Sequence, residues 1–290
     1  MHLPFGIYLI QAMQGLVYGM LLFLVASGLT LVLGMMGVLN VAHAVFYMLG
    51  AYFAYSVTLL LGNFWLSLFI SPLIVAALSI LIERFLIRKT YKGGHHQQLL
   101  LTFGLFFILG ELIRVIWGTA PLDVPTPEPF TGSIPLMGMT YPTYRLFILG
   151  FSFMTLIGVA LVLSRTRIGI IIKAAVSDAD MVDALGVNTR VFFTGVFAGG
   201  AVLAALAGVI AAPFLSVYSG MGLDALLDCF VVIVVGGFGS LLGALIASLM
   251  IGELHSFGIL WVPKLAIVFQ FLLMAVVLII RPTGLFGDKE

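Results

Sequence analysis

Residues 6–33 read GIYLIQAMQGLVYGMLLFLVASGLTLVL, 28 consecutive positions without an aspartate, glutamate, lysine or arginine. An α-helix rises about 1.5 Å per residue and the hydrocarbon core of a bilayer is about 30 Å thick, so about 20 such residues cross it. His2 alone precedes the run as a basic candidate. The run is also longer than the apolar region of a secretory leader, so it is expected to remain as a first helix. Comparable runs follow at 44–62, 64–87, 97–117, 144–164, 191–215 and 264–280. Residues 225–252 form one more, broken by Gly236, Gly237, Phe238, Gly239 and Ser240. Glycine breaks at membrane depth are tolerated where the freed backbone faces protein or a water-filled cavity. This region therefore reads as a discontinuous element, a helical hairpin that enters and returns.

Composition points the same way. The 290 residues are 62% hydrophobic and 9% charged, where a soluble domain carries about 25% charge. The expected fold is an all-α polytopic membrane protein of about eight transmembrane segments, at least one of them discontinuous. Residues 1–290 form a single transmembrane domain in this reading. The apolar–polar alternation of a membrane barrel is absent. A net charge of +1 gives no case for nucleic-acid binding. The lone Cys229 rules out an internal disulfide framework.

Basic residues collect in cytoplasmic loops. Arg84, Arg88, Lys89 and Lys92 form one cluster, Arg165, Arg167, Lys173 and Arg190 a second, and Arg281 with Lys289 a third. Placing all three inside puts the C-terminus in the cytoplasm and the N-terminus outside, provided that 225–252 makes no net crossing. The longest external loop is then about 118–143, whose prolines at 121, 125, 127, 129, 135 and 142 preclude a regular helix. It is a connector, or alternatively a docking surface for an external partner.

The cytoplasmic segment of about 164–190, SRTRIGIIIKAAVSDADMVDALGVNTR, is the longest densely charged stretch of the chain. Ser177 can cap a short helix over about 178–185, with Asp178 and Asp180 in its first turn, where the helix dipole favours negative charge. Val176 and Met181 have the spacing of a hydrophobic staple, and Gly186 offers a left-handed stop. Met181, Val182 and Leu185 give the helix an apolar side. Helices lying on lipid headgroups carry Lys and Arg on the polar face; this one carries three aspartates and no base, which favours a protein partner.

Several further features bear on function. Gly34, Gly37, Asn40 and His43 lie between the first two runs, and polar residues beside glycines at membrane depth are candidates for a transport pathway. The alternative is that Asn40 and His43 cap helix ends. Gly236, Gly237, Gly239 and Ser240 are the second pathway candidates, read as backbone opened beside the path. The pairs Gly15/Gly19, Gly195/Gly199 and Gly239/Gly243 have small-xxx-small spacing, which suits close helix contacts. Glu111 and Arg114 are spaced for an i,i+3 pair. Asp224, Asp228, Glu253 and His255 read as water-facing ends of the broken element. Neither these nor the adjacent His95 and His96 form a metal site.

The pattern RTRxGxxxKAAxxDxxxxxALGV over 165–187 resembles the cytoplasmic coupling segment of ABC-importer permeases. It is most similar to the branched-chain amino acid permease family, of the H type found in high-affinity leucine, isoleucine and valine importers. GLTLVLGMMGVLNVAHAVFYMLGAY (28–52), VVGGFGSLLGALIASLMIGE (234–253) and RPTGLFG (281–287) resemble family signatures in the same order. The resemblance implies a bacterial inner-membrane permease that pairs with a second, homologous permease, two cytoplasmic ATPases and an external solute-binding protein. It implies that Arg165, Arg167, Gly169, Lys173, Ala174, Ala175, Asp178, Asp180, Asp183, Ala184, Leu185 and Gly186 couple the membrane helices to the ATPase. No phosphate loop G-x-x-x-x-G-K-[ST] occurs, since none of the five lysines follows a glycine. ATP and Mg would therefore sit on partner chains, and this chain is expected to bind no cofactor and to be no enzyme. Import of branched-chain or related neutral amino acids is the leading reading. Urea or short amides are alternative cargoes, and an ion-coupled secondary transporter is a second class.

Overall fold

The computed structural model describes residues 5–91, 94–136 and 138–287, with Val176, Ser177, Ala179 and Asp180 as backbone only. Eight helices among the described residues are long and apolar enough to cross a membrane, and the chain is a multi-pass membrane protein. At the centre stands α1 (Phe5–Met36), which buries most of its length. Against it packs α10 (Leu241–Trp261), antiparallel. Gln11 donates its side-chain amide to the Ser256 carbonyl, and Ser256 Oγ donates to the Gln11 carbonyl at 2.6 Å. A Cβ on Gly19 would lie 2.8 Å from the Ser248 carbonyl oxygen. Only glycine permits that approach, so the expected Gly15/Gly19 face is used as a helix contact.

The second face of α1 meets α8 (Thr189–Ala211), which also packs against α2 (His43–Leu61) and α3 (Phe64–Phe85). Here the glycines in close contact are Gly28 and Gly200, and Gly50 and Gly208 between α2 and α8. Gly195 and Gly199 face open space instead, because the buried stripe of α8 runs through Gly200, Ala204 and Gly208. The outer helices α4 (Gly94–Trp117), α5 (Thr143–Arg165) and α11 (Ala266–Ile280) expose rows of phenylalanine, leucine and isoleucine. Such outward apolar rows suit contact with lipid.

The region 225–252 resolves into α9 (Met221–Gly236) and α10, joined by a tight turn at 237–240. The chain reverses there as a helical hairpin, over wider bounds than expected. At 16 residues α9 reaches about 24 Å, while α10 is long enough to cross alone. Counting α9, the chain makes nine legs among the described residues. The connections before α3 and α5 and after α8 share one face: Leu122 and Val217 exchange backbone hydrogen bonds, and Trp65 Nε1 donates to the Glu128 carbonyl. The proline-rich outer segment avoids helix and forms a small hairpin, β1 (Ser133–Leu136) with β2 (Met139–Pro142).

Segment 164–190 is more helical than its sequence suggested. A helix not expected there, α6 (Arg167–Ser177), is capped by Thr166, whose Oγ1 accepts from Gly169 N at 3.3 Å. It is followed by α7 (Ala179–Ala184). Ser177 belongs to α6, so the cap of α7 is Asp178, whose Oδ1 accepts from Met181 N at 2.9 Å. Both residues cap well; the preceding helix decides between them by absorbing Ser177. Gly186 stops α7 as expected, with φ +83°. The proposed Val176 staple, the side chain of Asp180 and the residues Lys92 and Lys289 lie outside what is described.

Candidate functional site

A cavity of about 380 Å³ lies between α1, α2, α9, α10, α11 and the 212–220 connection. It contains residues from both ends of the chain. Tyr18, Leu21, Leu22 and Val25 come from α1, Tyr47 from α2, Leu215 and Tyr218 from the connection. Asp224, Leu227 and Asp228 come from α9, His255 from α10, and Ile267, Gln270 and Phe271 from α11. Asp224 and Asp228 are four apart and share one helix face. Tyr18 donates its hydroxyl to Asp228 Oδ2 at 2.5 Å, and Gln270 donates its amide to Oδ1 at 3.0 Å. The Tyr18 ring stacks on His255, with centroids 4.6 Å apart. Tyr218 donates to Asp224 at 2.5 Å. Burial, reinforced by that bond and the Asp224 charge, pushes the Tyr218 hydroxyl up to about 12, so it stays a donor.

The chemistry of this cavity is one-sided. Its walls are leucine, valine, isoleucine and phenylalanine, its fixed charges are two carboxylates, and no lysine or arginine lines it. Of its polar residues, only Asp224, Asp228 and His255 stood out in the sequence, and those as water-facing ends. Tyr18, Tyr47 and Gln270 sit in ordinary apolar helices and carried no signal.

The pathway candidates read from the sequence lie elsewhere. Asn40 and His43 belong to a non-helical segment, 37–42, and the start of α2, buried against α1 and α4. His43 Nε2 lies 3.1 Å from the Val25 carbonyl oxygen. Thr102 donates to the Leu39 carbonyl at 3.2 Å and accepts from Val41 N at 3.3 Å. Neither Asn40 nor His43 caps a helix: the residue before α2 is Ala42, with no side-chain cap. Gly37 makes the turn out of α1 with φ +62°. A Cβ on Gly34 would lie 2.7 Å from Gly239 Cα, and one on Gly236 would lie 2.5 Å from the Gly243 carbonyl carbon. Ser240 caps α10, accepting from Gly243 N. The tail closes over the break: Leu285 N donates to the Val235 carbonyl at 2.9 Å and Phe286 N to the Gly236 carbonyl at 3.0 Å. Gly237 is packed against Phe286 and Gly287. These glycines hold helix ends and the tail together, and none lines the cavity.

The cytoplasmic candidates form a continuous structure from Arg165 to Gly186. Ile172, Ala175 and Val182 are buried, whereas Met181 is 58% and Leu185 75% exposed. Asp183 Oδ1 accepts from both the Thr189 backbone N–H and its hydroxyl at 2.9 Å. The Thr189 amide, then its hydroxyl, hold the Asp183 carboxyl below the usual carboxylate range. That contact therefore persists at neutral pH and is lost only as pH falls through the lowered value. One turn along α8, Thr194 donates to Glu83 Oε2 at 2.8 Å. Glu83 is fully buried and receives Arg88 at 3.0 and 2.7 Å and Tyr91 at 2.9 Å. Two rigid ties thus join α7 to α8 and α8 to α3. The Glu111–Arg114 pair forms as spaced, at 3.3 Å and exposed.

A family model described as branched-chain amino acid transport system / permease component matches residues 11–280. The chain is 31% identical over 297 residues to the high-affinity branched-chain amino acid transport system permease protein BraD of Pseudomonas aeruginosa, covering 98% of this chain and 97% of the relative. It is 28% identical over 299 residues to the permease proteins LivH of Salmonella typhimurium and Escherichia coli, with 98% and 96% covered. No solved structure matches.

Proposed function

The chain belongs to the family of branched-chain amino acid transport system permease components, and from that membership we propose that it is the membrane subunit of an ATP-driven importer of branched-chain or related neutral amino acids. Its work is transport, not catalysis. Its partners in this reading are a second, homologous permease, two cytoplasmic ATPases that hold ATP and Mg, and an external solute-binding protein. The setting is the bacterial inner membrane, with the N-terminus outside and the basic clusters and C-terminus in the cytoplasm.

The observation that carries the coupling role is the build of α7. A six-residue helix is marginal alone, yet this one is fixed at both ends, by the Asp178 cap and by the Asp183–Thr189 bonds. It holds Met181 and Leu185 out into solvent. Two apolar knobs on a short acidic helix suit a groove in an ATPase. Closure of that groove would move α8, and α8 packs on α1, α2 and α3. The motion then reaches the cavity through α1.

A second reading has one observation in its favour: Asp228 is a carboxylate within the helix bundle, which an ion-coupled transporter would use. Reconstitution separates the two. The assembled complex is expected to take up leucine only with ATP, and the double variant M181E/L185E should hydrolyse ATP while losing uptake at least tenfold. ATP-independent uptake by the purified chain alone would overturn the importer reading. Competition by urea in place of leucine would reassign the cargo.

A further inference from the structure

The cavity beside α1 is a built site with unfilled bonding capacity. Tyr47 lines it and is 8% exposed. Its hydroxyl is not one of the sealed polar atoms without a partner among the described residues, and a phenol that lines a cavity can donate to what enters it. Gln270, 4% exposed, donates its amide to Asp228 and leaves its carbonyl oxygen unpaired. Asp224 and Asp228 make the polar end negative, and the apolar walls make the rest of the cavity suit hydrocarbon. A volume of about 380 Å³ falls in the range of roughly 300–1,000 Å³ usual for small-molecule pockets.

We propose that this cavity is a solute site within the membrane, in which Asp228, with Gln270 Oε1, receives a primary ammonium and Tyr47 donates its hydroxyl to the solute's carboxylate. Leu21, Leu22 and Ile267 take the apolar side chain. The site selects a zwitterion with a hydrocarbon tail. Urea or a short amide can donate hydrogen bonds to the carboxylates but brings no positive charge to pair with them, and an anion without an amine is repelled by them. Asp228 already holds two hydrogen bonds, but a carboxylate has about four lone-pair positions, so an ammonium can be added without breaking either. Asp224 extends the negative field along the same helix face toward the 212–220 connection, on the side where solute would arrive.

The inference rests on the importer reading, and the experiment tells failure of one from failure of the other. Uptake of leucine by the wild-type complex in proteoliposomes tests the importer reading by itself. Given that uptake, Tyr47→Phe is the decisive variant, because it removes one hydroxyl and keeps the ring that packs in the cavity wall. We expect leucine uptake to fall at least fivefold, with the complex still assembled. Asp228→Asn should reduce uptake at least tenfold, while Tyr18→Phe, which removes a neighbour's hydroxyl and keeps the charge, should retain most of it. Unchanged uptake in Tyr47→Phe would overturn the proposal. So would equal losses in Asp228→Asn and Tyr18→Phe, since that pattern marks Asp228 as a tie between α1 and α9.

Discussion

Glu83 shows how much a single buried carboxylate constrains this molecule. It is fully enclosed at the end of α3 and satisfied by Arg88, Tyr91 and Thr194. Removing one partner of a buried pair leaves an uncompensated charge and costs about 3–5 kcal/mol, whereas neutralising both is far milder. Arg88→Met is therefore expected to lower the thermal midpoint in detergent more than the double variant Glu83→Gln/Arg88→Met does. The opposite order, read by thermal unfolding, would mean the pair is not what fixes α3 to α8. Single residues were also the least legible scale in the sequence. Arg88 was visible as a topological charge but not as the partner of Glu83, because the intramembrane position of a glutamate at a helix end cannot be read from composition. Tyr18, Asp228 and Gln270 converge from three helices, and no local pattern encodes that meeting. Gly186 was legible because stopping a helix is short-range chemistry, whereas the cap fell to Asp178, one residue beyond the expected Ser177, and the Asp183–Thr189 bond was not foreseen.

Elements were more legible, since apolar length is a direct record of bilayer thickness. The run read as 6–33 is α1, and those at 144–164 and 264–280 are α5 and α11 within a few residues. The exceptions are places where backbone packs on backbone. Segment 38–42 is buried or half-buried without being helical, its groups met in part by Thr102, and the glycine-rich break serves as a seat for the tail. That seat is strict: Gly284 has φ +81°, and a Cβ there would lie 2.6 Å from Gly237 N. Gly284→Val is expected to destabilise the α9–α10 hairpin by about 1–3 kcal/mol from backbone strain alone. Limited proteolysis should then cut near 237–240 where the parent chain resists; equal resistance would show the tail to be dispensable.

At the scale of the whole molecule, eight helices among the described residues are candidate spans, and the proposed topology, with α9 as a ninth leg, has the two ends on opposite faces of the membrane. The positive clusters then decide which face is which. Cys229 is the sole cysteine and is buried, so cysteines introduced at exposed positions can be labelled cleanly. Glu128→Cys should react with an impermeant maleimide on intact cells, and Arg190→Cys only after the membrane is opened. The reverse result would invert the topology. This arithmetic was accessible from the sequence once 225–252 was taken to make no net crossing. What it could not supply was the order in which the helices surround α1.

That central helix has a consequence for how the chain can vary in length. On α1, Gly19 meets α10, Gly28 meets α8 and Tyr18 meets the cavity, each on its own side. One inserted residue turns everything beyond it by about 100°, so a single-residue insertion between Tyr18 and Gly28 would bring a side chain to face α8 where only hydrogen fits. The segment between Gly118 and Gly132 has no such phase to keep. Length should therefore drift freely in the outer connection and stay locked in α1, one counting frame for three separate contacts.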